Sequence, residues 1–299
     1  VSGAGGVQGP ATGITIAEAL AEARAAGVAR LDAQQLLAHL LQRPRTWVLA
    51  HDDAPLAQSQ AAGYRALIAR RAAGEPFAYL VGEREFHGLT LRVTPAVLVP
   101  RPDTETLVDW AIELLCGTLS ATDRPEVLDL GTGSGAIALA VQRACPQAAV
   151  AALDASAEAL AVARDNAARL GLAVELFASD WWSATGARRW HLALSNPPYI
   201  AEDDPHLADL GHEPQQALTP GGDGLAAYDP LIAGAPAHLH PDGWLLFEHG
   251  AHQAAAVRAK LHHAGFVDVQ TRRDLEDRER CTGGRWPGAT NAAAHPRES

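Results

Sequence analysis

The stretch from Glu126 to Ala144 constrains this chain more than any other. Glu126-Val-Leu-Asp-Leu130 has the apolar run of a buried strand, Gly131 to Gly135 alternates glycine with small polar residues, and Ala136 to Ala144 continues as an apolar helix. A strand that turns into a helix through glycines brings backbone N–H groups at the helix start close to whatever lies in front of them. Downstream the same rhythm repeats. A strand over 149–153 ends in Asp154, Ser156 caps a helix that Gly171 stops, and further strands follow at 174–177, 191–195, 243–247, 266–271 and about 278–283, with a helix over 253–264. This alternation predicts an α/β fold with a doubly wound sheet.

The first third of the chain reads differently. Residues 1–13 are Gly-rich and expected to be flexible. Thr15 and Glu18 form a capping box ahead of the stripe Ile16, Leu20, Ala23. A second helix starts near Asp32, carries Leu36, Leu37, Leu40 and Leu41, and ends at Pro44; a third follows Pro55 and stops at Gly74. Residues 14–75 are therefore expected to form a small helical bundle. Phe77 to Val81 and Leu89 to Val93 read as two strands of a β-hairpin that links it, over 76–99, to the sheet domain at 100–286. Val97 to Val99 reads as one more extended run. Pro100-Arg-Pro-Asp-Thr-Glu105 opens a helix that runs to about Gly117, with acids at its positive end; Arg101 and Glu105 are the residues there able to reach a site. Residues 287–299 are expected to be a disordered tail.

Composition narrows the function classes. With 47% hydrophobic and 20% charged residues over 299, the chain can bury a sizeable core. A net charge of -11 weighs against stable nucleic-acid or anionic-membrane binding. Cys116, Cys145 and Cys281 show neither metal-ligand spacing nor a disulfide framework, and no stretch is long enough for a membrane span. These features point to a cytoplasmic protein without a metal.

Asp154 stands 19 residues after Gly135, at a strand end, where an acid takes ribose hydroxyls. A nicotinamide dinucleotide and S-adenosylmethionine both suit that pair of features. The stretch Ser195, Asn196, Pro197, Pro198, Tyr199 separates them. Asn-Pro is an ordinary turn dipeptide. Here, however, two prolines fix the backbone after an apolar strand, so the Asn196 oxygen and the neighbouring carbonyls have no ladder to join. They can accept from a planar NH2 group, with Tyr199 as a stacking face. A dehydrogenase gives no reason for that arrangement; methyl transfer to an amide or amino nitrogen does.

Leu128 to Gly135 together with Asn196 to Tyr199 resembles the class I S-adenosylmethionine-dependent methyltransferases that act on planar nitrogen, DNA adenine methyltransferases among them. Gly74-Glu-Pro-Phe-Ala-Tyr-Leu80, Arg84-Glu-Phe86, Pro100 to Glu105, Ser179-Asp-Trp181 and Phe247-Glu-His-Gly250 further resemble the release-factor glutamine methyltransferase family, over roughly residues 15–286. The resemblance implies a Rossmann-like, seven-stranded methyltransferase sheet. It implies methylation of the glutamine side-chain amide (N5) in the Gly-Gly-Gln loop of class I peptide chain release factors, in support of translation termination, with the helical domain docking the release factor. It places the cofactor on Gly131, Thr132, Gly133, Ser134, Gly135, Asp154, Trp181 and Asn196. It places the glutamine on Asn196, Pro197, Pro198 and Tyr199, of which Asn196, Pro197 and Tyr199 are expected to be catalytic. Two departures stand out: Trp182 replaces an expected phenylalanine, and Leu210 to Pro214 is a shorter loop than expected. A nucleic-acid adenine methyltransferase is the main rival, but should carry a basic face. A non-enzymatic scaffold is the other, and has no use for the glycine turn, Asp154 and Asn196 together. The expected state is a monomer.

Overall fold

The computed structural model describes residues 13–288. The flexible start and disordered tail expected from the sequence lie outside this range, except for Gly13, Pro287 and Gly288. The chain divides into two compact units at Gly82.

The first unit is helical. In α1 (Ile16–Ala25) the Thr15 hydroxyl accepts from the Glu18 N–H at 3.2 Å while the Glu18 carboxylate accepts from the Thr15 N–H at 2.8 Å. This is the expected capping box, and it satisfies two orphan donors. α2 (Arg30–Leu41) ends on Gln42 in the left-handed region. Pro44 then starts a further short helix, α3 (Arg45–Ala50). α4 (Gln58–Ala72) follows. Ile16, Leu36, Leu37, Val48 and Tyr64 pack into the unit's own core, with the Tyr64 hydroxyl donating to the Ala33 carbonyl at 3.0 Å.

The next segment corrects an expectation. Phe77–Val81 is not a strand but a helical turn, α5, with Pro76 at its N-cap and Gly82 left-handed at φ 79° as its stop. A five-residue apolar run has no period of its own, so its flanks decide; a proline before and a glycine after favour helix. The hairpin begins only after Gly82, as β1 (Glu83–Phe86) and β2 (Leu89–Arg92), paired Glu83 to Arg92 through Phe86 to Leu89. The expected extended run at Val97 to Val99 is likewise not a strand. It follows a turn in which the Val97 N–H donates to the Thr94 carbonyl at 3.1 Å, and the Val99 N–H goes to a side chain instead of a ladder.

A single 3-10 turn at Pro102–Thr104 leads into α6 (Glu105–Cys116). Then come β3 (Glu126–Leu130), α7 (Ala136–Ala144), β4 (Ala149–Asp154), α8 (Ala157–Leu170), β5 (Glu175–Ala178) and β6 (Trp190–Ser195). Two 3-10 segments, Pro205–Leu210 and Gln215–Ala217, precede α9 (Tyr228–His238), β7 (Leu239–Glu248), α10 (Ala254–His263), β8 (Val267–Arg273) and β9 (Glu279–Arg285). The strands form one seven-stranded sheet in the order β5-β4-β3-β6-β7-β9-β8, with β9 antiparallel to both neighbours and the rest parallel.

Helices cover both faces. Trp110, Leu107, Ile137 and Leu139 fill one side; Trp182, Trp190, Tyr228 and Leu231 fill the other. The chain winds outward from β3 to β5 and then returns to place β6 on the opposite flank of β3. Ligands in such sheets bind at the carboxyl ends of the strands where this reversal opens a crevice. No helix among the described residues is long and apolar enough to cross a membrane.

Candidate active site

The reversal between β3 and β6 brings two turns side by side. Leu128 of β3 pairs with Ala193 of β6, and the Ser195 hydroxyl donates to the Leu130 carbonyl at 2.7 Å, tying the two strand ends together. The Gly131–Gly135 turn leaves the first strand and Asn196 leaves the second. Gly131, Gly133 and Gly135 all have positive φ (78°, 56° and 85°), a conformation that a Cβ strains. The Gly131 and Thr132 N–H groups both donate to the Leu153 carbonyl, at 3.0 and 2.9 Å, which ties the turn to the end of β4.

Asp154 sits at that strand end. Its Oδ2 accepts from the Gly133 N–H at 2.9 Å and its Oδ1 from the Ser156 N–H at 2.8 Å, so one carboxylate holds both the glycine turn and the start of α8. The Ser156 hydroxyl caps that helix on the Ala159 N–H. Each carboxylate oxygen keeps acceptor capacity for a ligand hydroxyl.

A cavity of about 220 Å³ opens between these parts. Of the residues named from sequence, Gly131, Thr132, Gly133, Ser134, Asp154, Trp181, Asn196 and Pro198 line it. Trp181 holds a left-handed backbone at φ 45°, with its carbonyl accepting from the Ser179 hydroxyl at 2.6 Å, and its ring lies against Gly131. Three of the named residues are not on the wall. Gly135 is the N-cap of α7, Pro197 is buried, and Tyr199 turns its hydroxyl to Glu248 at 3.1 Å. The Tyr199 stacking face expected from the sequence is therefore not presented to the cavity. Asn196 Nδ2 donates to the Thr104 hydroxyl at 3.3 Å, and no described donor engages its Oδ1.

The 100–105 stretch contributes more than a helix start. Arg101 and Thr104 both line the cavity. Arg101 pairs with Glu213, whose side chain is 1% exposed and whose Oε2 accepts from the Val99 N–H at 3.0 Å. This fastens the segment before Pro214, which with Gln216 and Ala217 closes one side of the cavity. Glu105 is not brought in; it accepts from the His87 N–H of the hairpin at 3.0 Å.

Two fully buried carboxyls stand behind the wall. Asp129 binds the Thr132 hydroxyl at 2.6 Å and the Ala138 N–H at 3.3 Å with one oxygen, bracing the glycine turn against α7; its Oδ1 has no partner. Burial pushes its pKa up to about 7 against the lowering effect of those two donors. Glu248, at the end of β7, is pushed up to about 7 by burial as well.

A different grouping lies at the starting ends of the strands, where Glu126, His191 and His240 offer ligand atoms within 4.8 Å of one another. His191 Nδ1 accepts from the Glu126 N–H at 3.1 Å, so its proton sits on Nε2 and the ring has no lone pair left for a metal.

The sequence matches the Methyltransferase small domain over residues 104–264 and the PrmC N-terminal domain over 15–82. It is 53% identical over 261 residues to the release factor glutamine methyltransferase of Bordetella pertussis, covering 86% of this chain and 95% of that one. It is 42% identical to that of Escherichia coli, covering 90% and 96%. The chain belongs to the release factor glutamine methyltransferase family. Among solved structures, the catalytic domain of hMettl16 in complex with the MAT2A 3'UTR hairpin 1 matches with a TM-score of 0.54 at 14% identity, covering 77% of this chain and 80% of that one, a likeness of fold.

For a member of this family, sequence reasoning missed Thr104, Asp129, Glu213 and Glu248. Asp129 did carry a signal: an acid in the middle of a buried strand needs a partner, and Thr132 is three residues on. Glu248 carried a weaker one, closing an apolar strand as Asp154 does. Thr104 and Glu213 have no local signal, because their partners come from distant parts of the chain.

Proposed function

We propose that this chain transfers the methyl group of S-adenosylmethionine to the side-chain amide nitrogen of the glutamine in the Gly-Gly-Gln loop of class I peptide chain release factors. The observation that carries this reading is Asn196. Its Nδ2 is occupied by Thr104, so its Oδ1 is an acceptor facing a cavity that the glycine turn and Asp154 complete. The cavity suits the cofactor chemically: a carboxylate at a strand end for the ribose, apolar Leu153 and Ile137 on the wall, and an indole from Trp181.

When bound, S-adenosylmethionine supplies an electrophilic methyl on a sulfonium sulfur. The chain must make a poor nucleophile attack it. Amide resonance, on the scale of the roughly 18–20 kcal/mol rotation barrier, withholds the nitrogen lone pair. Asn196 Oδ1 accepts from one amide N–H bond; the acceptor for the other is the main-chain carbonyl of Pro197, a residue buried between Asn196 and Pro198, which both line the cavity. The two acceptors aim the lone pair and strengthen as positive charge grows on nitrogen. Holding the amide in line contributes on the order of 7–11 kcal/mol. The methylated amide cation is a strong acid and loses its proton to water, so no side-chain base is required. Pro198 lines the substrate side, and Tyr199 supports the turn from behind. The helical unit docks the release factor, and the protein works as a cytoplasmic monomer without stable hold on nucleic acid, in keeping with its net charge of -11.

Mass spectrometry of a release factor incubated with this protein and S-adenosylmethionine tests the reading; one added methyl on the Gly-Gly-Gln glutamine is expected, and transfer to DNA alone would overturn it. Asn196→Ala should abolish turnover while calorimetry still detects cofactor binding. Near-parental turnover in that variant sinks the mechanism.

A further inference from the structure

An asparagine presents an acceptor to a substrate only if its amide is kept from flipping. Thr104 accepts from Asn196 Nδ2 at 3.3 Å. A hydroxyl has one hydrogen, so a hydroxyl that accepts there must send its own proton elsewhere. Behind Thr104 lies Glu248, 1% exposed, whose Oε1 accepts from the Tyr199 hydroxyl at 3.1 Å and whose Oε2 is buried with no donor in hydrogen-bond geometry. Thr104 lies close enough to favour the ionised form of that carboxyl without completing a hydrogen bond to it. A buried carboxylate oxygen without a donor is costly, and the Thr104 proton is the one at hand.

We propose that Glu248 is the positioning residue of this site: it draws the Thr104 proton inward, obliges Thr104 to accept from Asn196 Nδ2, and so leaves Asn196 Oδ1 pointing at the substrate amide, while holding the Tyr199 end of the same turn. The proposal rests on the amide-methylating reading above and deepens it. An ionised carboxylate only accepts, so the chain of bonds has one direction. A neutral carboxyl or a carboxamide at 248 can donate to Thr104 and reverse it, which would turn the Asn196 NH2 towards the substrate NH2.

The groups around Glu248 set its charge. Arg280 favours the ionised form; Asp103 and burial oppose it, with burial the largest effect and the result a pKa of about 7. Arg280 is itself tied to Asp103 at 3.1 Å and Asp274 at 3.3 Å. Tyr228 donates to the Glu248 main-chain carbonyl at 2.9 Å, and Cys281 pairs across the strand.

Steady-state kinetics on a release factor, with Glu248→Gln, Thr104→Val and Thr104→Ser, test this. Glu248→Gln and Thr104→Val should lower kcat on the order of 10²-fold, with S-adenosylmethionine affinity by calorimetry unchanged in Glu248→Gln, whose side chain does not line the cavity. Thr104→Ser should restore most of what Thr104→Val loses. The parent kcat should fall as pH drops below about 7, and that limb should be missing from Glu248→Gln. A limb that persists in the variant assigns it to Asp129, which also titrates near 7, and counts against Glu248. Parental kcat in Glu248→Gln, or equal rates in the two Thr104 variants, overturns the proposal. If melting curves show Glu248→Gln unfolded, the Thr104 pair decides alone. A parent chain that leaves the release factor unmodified ends the functional reading and this proposal with it; an active parent with unaffected variants ends this proposal only.

Discussion

Asp154 does two things with one carboxylate, and that makes its removal informative. It holds the Gly133 and Ser156 N–H groups at 2.9 and 2.8 Å while standing on the cavity wall. Asp154→Ala should weaken S-adenosylmethionine binding roughly 10- to 100-fold, the equivalent of losing one hydrogen bond to a charged group. Calorimetry showing unchanged affinity would remove the ribose assignment. Asp154 and Asn196 were legible in the sequence because each follows an apolar strand, which fixes where its side chain emerges. Glu248 follows one too, yet its meaning depended on Tyr199 and Thr104, partners that the order of residues does not bring together. The sequence leaves the Asn196 oxygen without a ladder to join, and no described donor engages it; the Thr104 hydroxyl that holds the other end of the amide has no local signal. The direction of Tyr199 was misread, because a proline turn constrains backbone and says little about where a ring two residues later will point.

At the scale of elements, local punctuation decided most outcomes. Ser156 and Gly171 bounded α8 as a cap and a stop should, and Gly135 marked the start of α7. At Phe77–Val81 the flanking Pro76 and Gly82 outweigh the β-prone residues of a short run, and the segment is helical. α9 escaped notice altogether: Pro236 and Gly234 lie inside it, and both argue against a helix. The structure supplies a reason for the glycine. A Cβ at Gly234 would come within 2.2 Å of Trp182 Cδ1, and Trp182 cannot retreat because its Nε1 donates to the Leu231 carbonyl at 3.0 Å. Gly234→Ala gains up to about 1 kcal/mol of helix propensity, but overpacks the core at a cost of about 1–3 kcal/mol. We expect a net loss of stability in urea unfolding; an unchanged or higher midpoint would show that α9 can shift away from Trp182.

For the molecule as a whole, three buried titratable groups and the half-buried His191 pull stability in opposite directions with pH. Burial raises Asp129 and Glu248 from ordinary values of 3.8 and 4.5 to about 7. The unfolded chain loses those protons first, so their contribution is present below about pH 4 and is lost as pH rises towards 7. Burial lowers His191 and His249 from 6.5. The unfolded chain gains those protons first, so stability from this source is present above that value and is lost as pH falls through the lowered ones. Glu248→Gln removes one carboxyl's share. Its urea midpoint should therefore gain on the parent as pH rises from 4.5 to about 7; parallel curves would show that Glu248 is already charged in the folded chain. The sheet itself was readable in outline, since strands and helices alternate regularly from Glu126 onward. Its strand order was not, because nothing local states that β6 will lie against β3. That adjacency has a geometric consequence. The glycine turn and Asn196 leave neighbouring strands tied by Ser195 to Leu130 at 2.7 Å. The separation of the glycine turn from Asn196 is thus ruled by the spacing of a β-ladder, about 4.8 Å. The sheet works as a ruler with one graduation, and a substitution elsewhere can alter that reach only by bending the ruler.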